Sequence, residues 1–320
     1  MQQVAMQRKK KDNGMLHDLR KHGALYLIAL PGIAWFLTFC YAPMAGIIIA
    51  FKNYNPIDGI FGSPWNGLKN FEFLFKSGDI YRITFNTLYL NALFIVFGLI
   101  CAVGVALLIN ELRGKYFKRV AQGMMLLPFF ISWVIMGTIS TYLFGTDVGF
   151  INNIVASLGG EPIRWYNSPQ YWPAILTISS VWKGLGYGSI IYLGAIVGVD
   201  QEIYEAAEID GCGKWQLARR VTLPCILPTI SIMLLLQVGR IFYGDFGMVF
   251  NMVKQNVLLY SNTDIIDTYV FRAIRGGSGS GGGSYAMASA AGLLQSVLGF
   301  ITVLAANTIV GRFEKDNTLF

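Results

Sequence analysis

The sequence predicts an all-α membrane protein: six transmembrane helices, with a polar, basic loop between the fourth and the fifth. Three observations carry this. Of the 320 residues, 54% are apolar and 13% charged, with a mean hydropathy of +0.50, a balance outside the range of soluble domains. Six apolar runs are long enough to cross a hydrocarbon core, which takes roughly 20 helical residues. The Lys and Arg residues crowd into alternate connections between those runs.

In chain order, a basic tail (residues 1–23) precedes the first run, Ala24–Phe51. This run is too long for a signal peptide and lacks a small-residue cleavage site, so it reads as a retained helix, bent at Pro31 and Pro43. The later runs are Thr84–Ile109, Val120–Phe144, Trp172–Val199, Cys225–Tyr243 and Ala286–Val310. Each must be helical, because backbone groups in lipid have to pair within their own segment. The membrane domain thus covers residues 24–310, with a loop at 200–224 and a closing tail at 311–320. Fifteen Lys and Arg fall in the two tails and the even-numbered connections, against eight in the much longer loops opposite. The positive-inside rule puts both termini and the 200–224 loop in the cytoplasm. The net charge of +7 follows from this topology and gives no case for nucleic-acid binding.

The loop itself reads as two short helices. Asp200 can cap the first, whose Ile203, Ala206 and Ala207 share a face, and Gly211 suits the left-handed turn that ends it. A second helix starts near Gly213 and carries Trp215, Ala218 and Arg219 until Pro224 interrupts the pattern. On pattern alone, an amphipathic helix at an acidic lipid surface fits equally well.

The residues are more specific than the pattern. Glu205-Ala206-Ala207, then Gly211, then Val221-Thr222-Leu223-Pro224 resembles the EAA loop of ABC importer permeases: EAA, three residues, Gly, nine residues, an aliphatic residue, any residue, Leu-Pro. Asp210 before the Gly also fits; Cys212 departs from the usual Ala. The resemblance implies that Glu205, Ala206, Ala207, Asp210, Gly211, Leu223 and Pro224 form a coupling helix seated in a cleft of a separate ATPase dimer. ATP and Mg would then be bound there and not on this chain.

Further segments resemble the permeases of maltose-type (type I) carbohydrate importers, in the subgroup that takes up oligosaccharides released from polysaccharides. They are Gly67-Leu68-Lys69-Asn70-Phe71, Tyr243-Gly244-Asp245-Phe246-Gly247, Thr263–Tyr269, Ala288–Ser296 and Lys315–Phe320. Read without the resemblance, the aromatics around Trp65 are equally an interfacial belt. Residues 276–284 are wholly Gly and Ser, a flexible-linker composition that is either natural low complexity or an engineered replacement.

Catalytic and metal signals are absent. None of the four cysteines stands in a CxxC spacing, and both histidines are in the basic tail. Gly211-Cys212-Gly213-Lys214 has Glu208 where a phosphate loop needs its first Gly and Trp215 where it needs Ser or Thr. Gly194 and Gly198 make a GxxxG, read as close helix packing.

Polar residues inside membrane helices usually face a bundle interior or a water-filled cavity. The fourth run offers Ser180, Lys183, Gly184 and Tyr187, and the fifth offers Gln237 and Arg240. These are the places where the maltose-type resemblance implies a sugar site. An aromatic face for the ring, amide and guanidinium donors for hydroxyls and a Gly at the closest approach suit a sugar, and the two cations suit an acidic one. The opposing reading is that the aromatics pack and the cations snorkel to an interface. The resemblance implies a second permease subunit, an ATPase dimer, an extracellular or periplasmic solute-binding protein, an oligosaccharide substrate and the surrounding lipid as partners. The alternatives left open are an ABC permease for another polar solute and an ATP-independent secondary transporter or channel subunit.

Overall fold

A computed structural model describes residues 22–146, 149–276 and 283–313. The expectations for the basic tail up to residue 21, for most of the Gly/Ser segment and for residues 314–320 lie outside the described residues. Those described are nearly all helical, with one isolated bridge between Lys52 and Trp65. The chain divides into two compact units, Met1–Ile48 and Ile49–Phe320.

The first unit is a helical rod. It begins as α1 (Gly23–Phe36), passes through a π-helical turn at Leu37–Tyr41 and continues as a 3-10 helix, Ala42–Phe51. Pro31 is held within α1, whereas the α geometry gives way just ahead of Pro43. A widened turn moves the carbonyl that a proline ring would strike and frees the position from needing an N–H.

The second unit is built around α2 (Asp79–Glu111) and α5 (Trp172–Val197), which pack along much of their length. One core cluster gathers Leu90, Trp172, Leu176, Met248 and Val253; another gathers Ala106, Ile109, Tyr192, Ile196 and Ile226. Between them lie α3 (Lys115–Leu126), α4 (Trp133–Phe144), α6 (Gln201–Ile209), α7 (Lys214–Leu217) and α8 (Leu223–Val238). The last part is α9 (Phe246–Val253), α10 (Ile266–Gly276) and α11 (Gly283–Phe313).

Four helical stretches are long and apolar enough to cross a membrane: Gly23–Phe51, Asp79–Glu111, Lys214–Val238 and Tyr285–Thr308. The third expected run is not one straight helix. Lys115–Phe130 and Trp133–Phe144 meet at 93°, because Pro128 opens a short 3-10 turn and Ser132 then caps α4, accepting from the Ile135 N–H at 3.3 Å. Counted as one broken span, the pair makes a fifth. The fourth run is a continuous 26-residue helix, α5, but Ser180, Lys183 and three glycines in its middle make it less apolar than the others.

Three further expectations change. The helix starting beyond Gly213 does not stop at Pro224: a π turn at Ala218–Thr222 carries it into α8, the same device that precedes Pro43. Its far end is Val238, short of the expected Tyr243, where Gly239–Asp245 form a turn. Close packing is not at Gly194, where an added Cβ would meet nothing within 4 Å. It is at Gly186, where a Cβ would strike the Met125 carbonyl, so this glycine lets α5 lie against α3.

Candidate functional site: a membrane cavity and the 200–224 loop

The loop at 200–224 is a rigid piece of backbone. Asp200 caps α6 by accepting from the Glu202 N–H at 3.0 Å. At the other end Gly211 has a φ of 81°, in the left-handed region. The Gly211 N–H donates to the Glu208 carbonyl and the Cys212 N–H to the Ala207 carbonyl, both at 3.0 Å. These two bonds are the Schellman pair, which satisfies carbonyls left open at a helix C-terminus. Glu205, Ala206 and Asp210 are exposed on α6 and its end, as is Pro224, while Ala207 and Leu223 are partly covered. Tyr204 donates to Thr222 Oγ1 (3.2 Å), tying α6 to the π turn, and Lys214 Nζ pairs with Glu111 Oε2 (2.6 Å) at the end of α2. Large apolar side chains remain uncovered on this loop: Ile209 is 86% exposed and Trp215 76%. Its geometry is therefore fixed from within, and its apolar surface has no cover from the described residues.

The second feature is a cavity of about 480 Å³ between α2, α5 and α8, within the ~300–1,000 Å³ of small-molecule sites. It brings together Ser180, Gly184 and Tyr187 of α5 with Gln237 and Arg240 from the end of α8. Spacings of three and four residues put the α5 members on one face. The Arg240 guanidinium has no hydrogen bond or ion pair among the described residues. A cation projecting into a membrane cavity, with no partner among the described residues, is available to a ligand.

Lys183 is not in this cavity. Its Nζ donates to the Phe129 carbonyl at 2.6 Å and lies over the rings of Phe129 and Trp133, at 5.5 and 5.3 Å from their centroids. It sits at the edge of the α5 face, and its long stem reaches the carbonyl left open where the 3-10 turn ends at the 93° break. Phe129 in turn stacks on Tyr187 at 4.9 Å, so that ring is fixed from behind.

Sequence reasoning missed Asn91 and Phe94 of α2 in the cavity wall. Asn91 donates to the carbonyls of Ile241 (2.8 Å) and Tyr243 (3.1 Å). The available signal was Asn91 itself, one of two Asn within the most apolar run of the chain.

The outer segments also have physical roles. Asn70 is buried and donates to the carbonyls of Ala50 and Lys52 at 2.8 and 3.0 Å, while Gly67 takes a φ of 63°. Asp264 is fully buried and bidentate with Arg272 (2.6 and 2.7 Å), whose guanidinium lies 4.3 Å over the Tyr260 ring. Asn86 of α2 donates to the Asp264 carbonyl at 3.1 Å, and Thr87 accepts from the Ile266 N–H at 3.1 Å. Asp267 accepts from the Gly244 N–H at 2.8 Å, and burial pushes its carboxyl above the usual carboxylate range. Asp245 caps α9, accepting from the Met248 N–H at 2.9 Å.

Apolar spans around a cavity that holds several polar side chains, with a loop whose apolar face lacks cover among the described residues, define a membrane transport subunit. Residues 94–315 match the family described as "Binding-protein-dependent transport system inner membrane component", and the chain belongs to that family. It is 38% identical to Protein LplB of Bacillus subtilis (strain 168) over 93% of this chain and 92% of that one. Against the polygalacturonan/rhamnogalacturonan transport system permease protein YteP of the same organism, the identity is 35%, over 97% and 94% of the two chains. Among solved structures, it superposes with a TM-score of 0.84 on a chain of a bacterial ABC transporter involved in the import of the acidic polysaccharide alginate. That chain is 34% identical, and the match covers 93% of this chain and 99% of that one. The protein is thus a multi-pass permease of the inner membrane, a transport component and not an enzyme by family.

Proposed function

We propose that this chain is one permease subunit of an ATP-driven, binding-protein-dependent importer of oligosaccharides, and that its substrates carry carboxylates. One observation carries the substrate reading: Arg240 projects unpaired into the cavity that also holds Ser180, Gly184, Tyr187 and Gln237. The guanidinium fork matches a carboxylate, and the Tyr187 ring and the bare Gly184 backbone suit the face of a sugar ring. Support comes also from two similar proteins, the polygalacturonan/rhamnogalacturonan permease YteP and the transporter of the acidic polysaccharide alginate. Lys183, bound to Phe129, has no part in recognition under this reading.

The working arrangement has six spans, the third of them broken, with both termini and the 200–224 loop in the cytoplasm. A solute-binding protein delivers the oligosaccharide outside, and a second permease subunit completes the path. An ATPase dimer holding ATP and Mg seats the EAA loop, with Ile209 and Trp215 as the apolar contacts and Gly211 setting the turn. Closure of the dimer moves α6, and the Tyr204–Thr222 and Lys214–Glu111 contacts pass that movement to α8 and α2, the walls of the cavity. Alternating access follows from moving two of the three walls.

The test is ATPase activity of the reconstituted complex with loaded binding protein, over a panel of acidic and neutral oligosaccharides. Stimulation by the acidic members supports the reading. Stimulation only by a different class of polar solute would replace it, and uptake insensitive to ATP depletion would move the chain to ATP-independent transport.

A further inference from the structure

The turn that ends α8 is gripped by side chains from three other helices. Three consecutive carbonyls, those of Ile241, Phe242 and Tyr243, have left the helical ladder, and each accepts from a side-chain amide. Asn91 of α2 serves the first and third. Gln295 of α11 serves the second, with Nε2 at 2.8 Å from the Phe242 oxygen. The next backbone group, the Gly244 N–H, donates to Asp267 Oδ2, and that same oxygen lies 3.2 Å from Gln295 Nε2. Both N–H bonds of the Gln295 amide are thereby used, and Gln295 itself is 5% exposed. At Gly244 a Cβ would collide with the Ile265 side chain and lie 3.1 Å from Asp267 Oδ2, so only glycine brings the N–H this close.

Irregular backbone in a membrane bundle is tolerated only where its polar groups find partners inside the protein. A single partner would meet that need at each carbonyl. The grip here goes further, because its donors stand on α2 and α11, on either side of the turn. Arg240 and Tyr243 leave this same turn for the cavity, and the Tyr243 hydroxyl lies 3.4 Å from Ser296 Oγ, one residue on from Gln295.

We infer that Asn91, Gln295 and Asp267 are positioning residues for substrate recognition: by fixing the 240–244 backbone they hold Arg240 and Tyr243 at the end of the cavity. The inference rests on the cavity being the oligosaccharide path. It assigns the Tyr243–Gly247, Thr263–Tyr269 and Ala288–Ser296 segments, far apart in the chain, to one strap, and it adds Asn91 from α2.

The test uses the full complex in nanodiscs and proteoliposomes, with Gln295→Met, which keeps the length of the side chain and removes its donors. Two quantities are read: hydrogen exchange of the backbone amides at 240–246, and the ratio of oligogalacturonate uptake to uptake of its carboxyl-reduced, neutral counterpart. Arg240→Gln is measured beside it. The expected result is exchange faster by about tenfold and a ratio that falls toward the Arg240→Gln value. Unchanged exchange in Gln295→Met overturns the strap. Faster exchange with an unchanged ratio, where Arg240→Gln does lower it, reduces the strap to a purely structural role and overturns the inference. An Arg240→Gln ratio equal to wild type instead removes the carboxylate reading, and the strap then stands or falls on the exchange result. If Gln295→Met does not assemble, Asn91→Leu, which leaves the buried Gln295 in place, is judged by the exchange measurement in the same way.

Discussion

Lys183 Nζ lies 2.6 Å from the carbonyl oxygen of Phe129, and the Phe129 ring stacks on Tyr187 at 4.9 Å. The ammonium thus caps the end of one half of a broken helix and braces a ring in the cavity wall. Lys183→Met keeps the stem over Phe129 and Trp133 but leaves the carbonyl unpaired. The expected loss is about 1–3 kcal/mol of stability, read as a lower melting temperature of the purified complex. Preference between acidic and neutral oligosaccharides should stay as in wild type. A lost preference for acidic substrates would return Lys183 to the recognition site.

Gly211 is the one position of the 200–224 loop with a positive φ among the described residues. Its φ of 81° leaves room around the Cβ, so the penalty is conformational and not steric. For Gly211→Ala about 1–2 kcal/mol is expected. Gly211→Leu should leave a folded membrane bundle that no longer transmits ATP hydrolysis, seen as ATPase activity unresponsive to loaded binding protein. Wild-type uptake by Gly211→Leu would contradict a coupling role.

The Asp264–Arg272 pair braces the segment that Asn86 and Thr87 of α2 hold by hydrogen bonds. Asp264 has no exposed side-chain surface, so removing Arg272 strands a buried charge. Arg272→Met is expected to destabilise by about 3–5 kcal/mol, measured by thermal unfolding followed at tryptophan. A shift of under ~1 kcal/mol would show that Arg82, 3.7 Å from Asp264, takes over as partner.

Asp267 gives a pH prediction of opposite sign to the usual carboxylate. Its folded-state pKa is raised, mainly by burial, with the nearby Asp245 charge adding to the shift against the Gly244 and Gln295 hydrogen bonds. Between the unfolded and folded values the native state binds more protons, so stability falls as pH rises through that window and recovers as pH falls. Asp267→Asn should flatten this slope and be no less stable than wild type at neutral pH. A variant that loses stability at neutral pH and keeps the slope would contradict the assignment.

Much of the fold was legible because each signal was local. Apolar run length marked the spans, Asp200 and Gly211 marked the ends of α6, and the three- and four-residue spacing of Ser180, Gly184 and Tyr187 marked one cavity face. The break at Ile131 was legible in principle, since Pro128 and Ser132 are a turn and a cap, but apolarity alone ran straight across it. Lys183 was misread because a long side chain at the edge of a face goes to the nearest unmet acceptor, and that acceptor exists only once the broken helix folds back. Asn91 and Gln295 were invisible for a related reason. Their partners are backbone carbonyls of a turn at residues 241–243, more than fifty positions away for Gln295 and about 150 for Asn91. No periodicity in an apolar helix announces that. Pro224 was read as a stop because the π turn that absorbs it depends on tertiary packing.

The central claim is that an unpaired guanidinium in the cavity reads the carboxylates of the transported oligosaccharide. The most direct measurement is uptake by wild-type and Arg240→Gln proteoliposomes of an oligogalacturonate and of the same oligosaccharide with its carboxyls reduced. The account predicts that Arg240→Gln lowers acidic uptake by about tenfold or more, the scale of one charge-assisted contact, and leaves neutral uptake nearly unchanged. Equal losses for both substrates, or none for either, would contradict it.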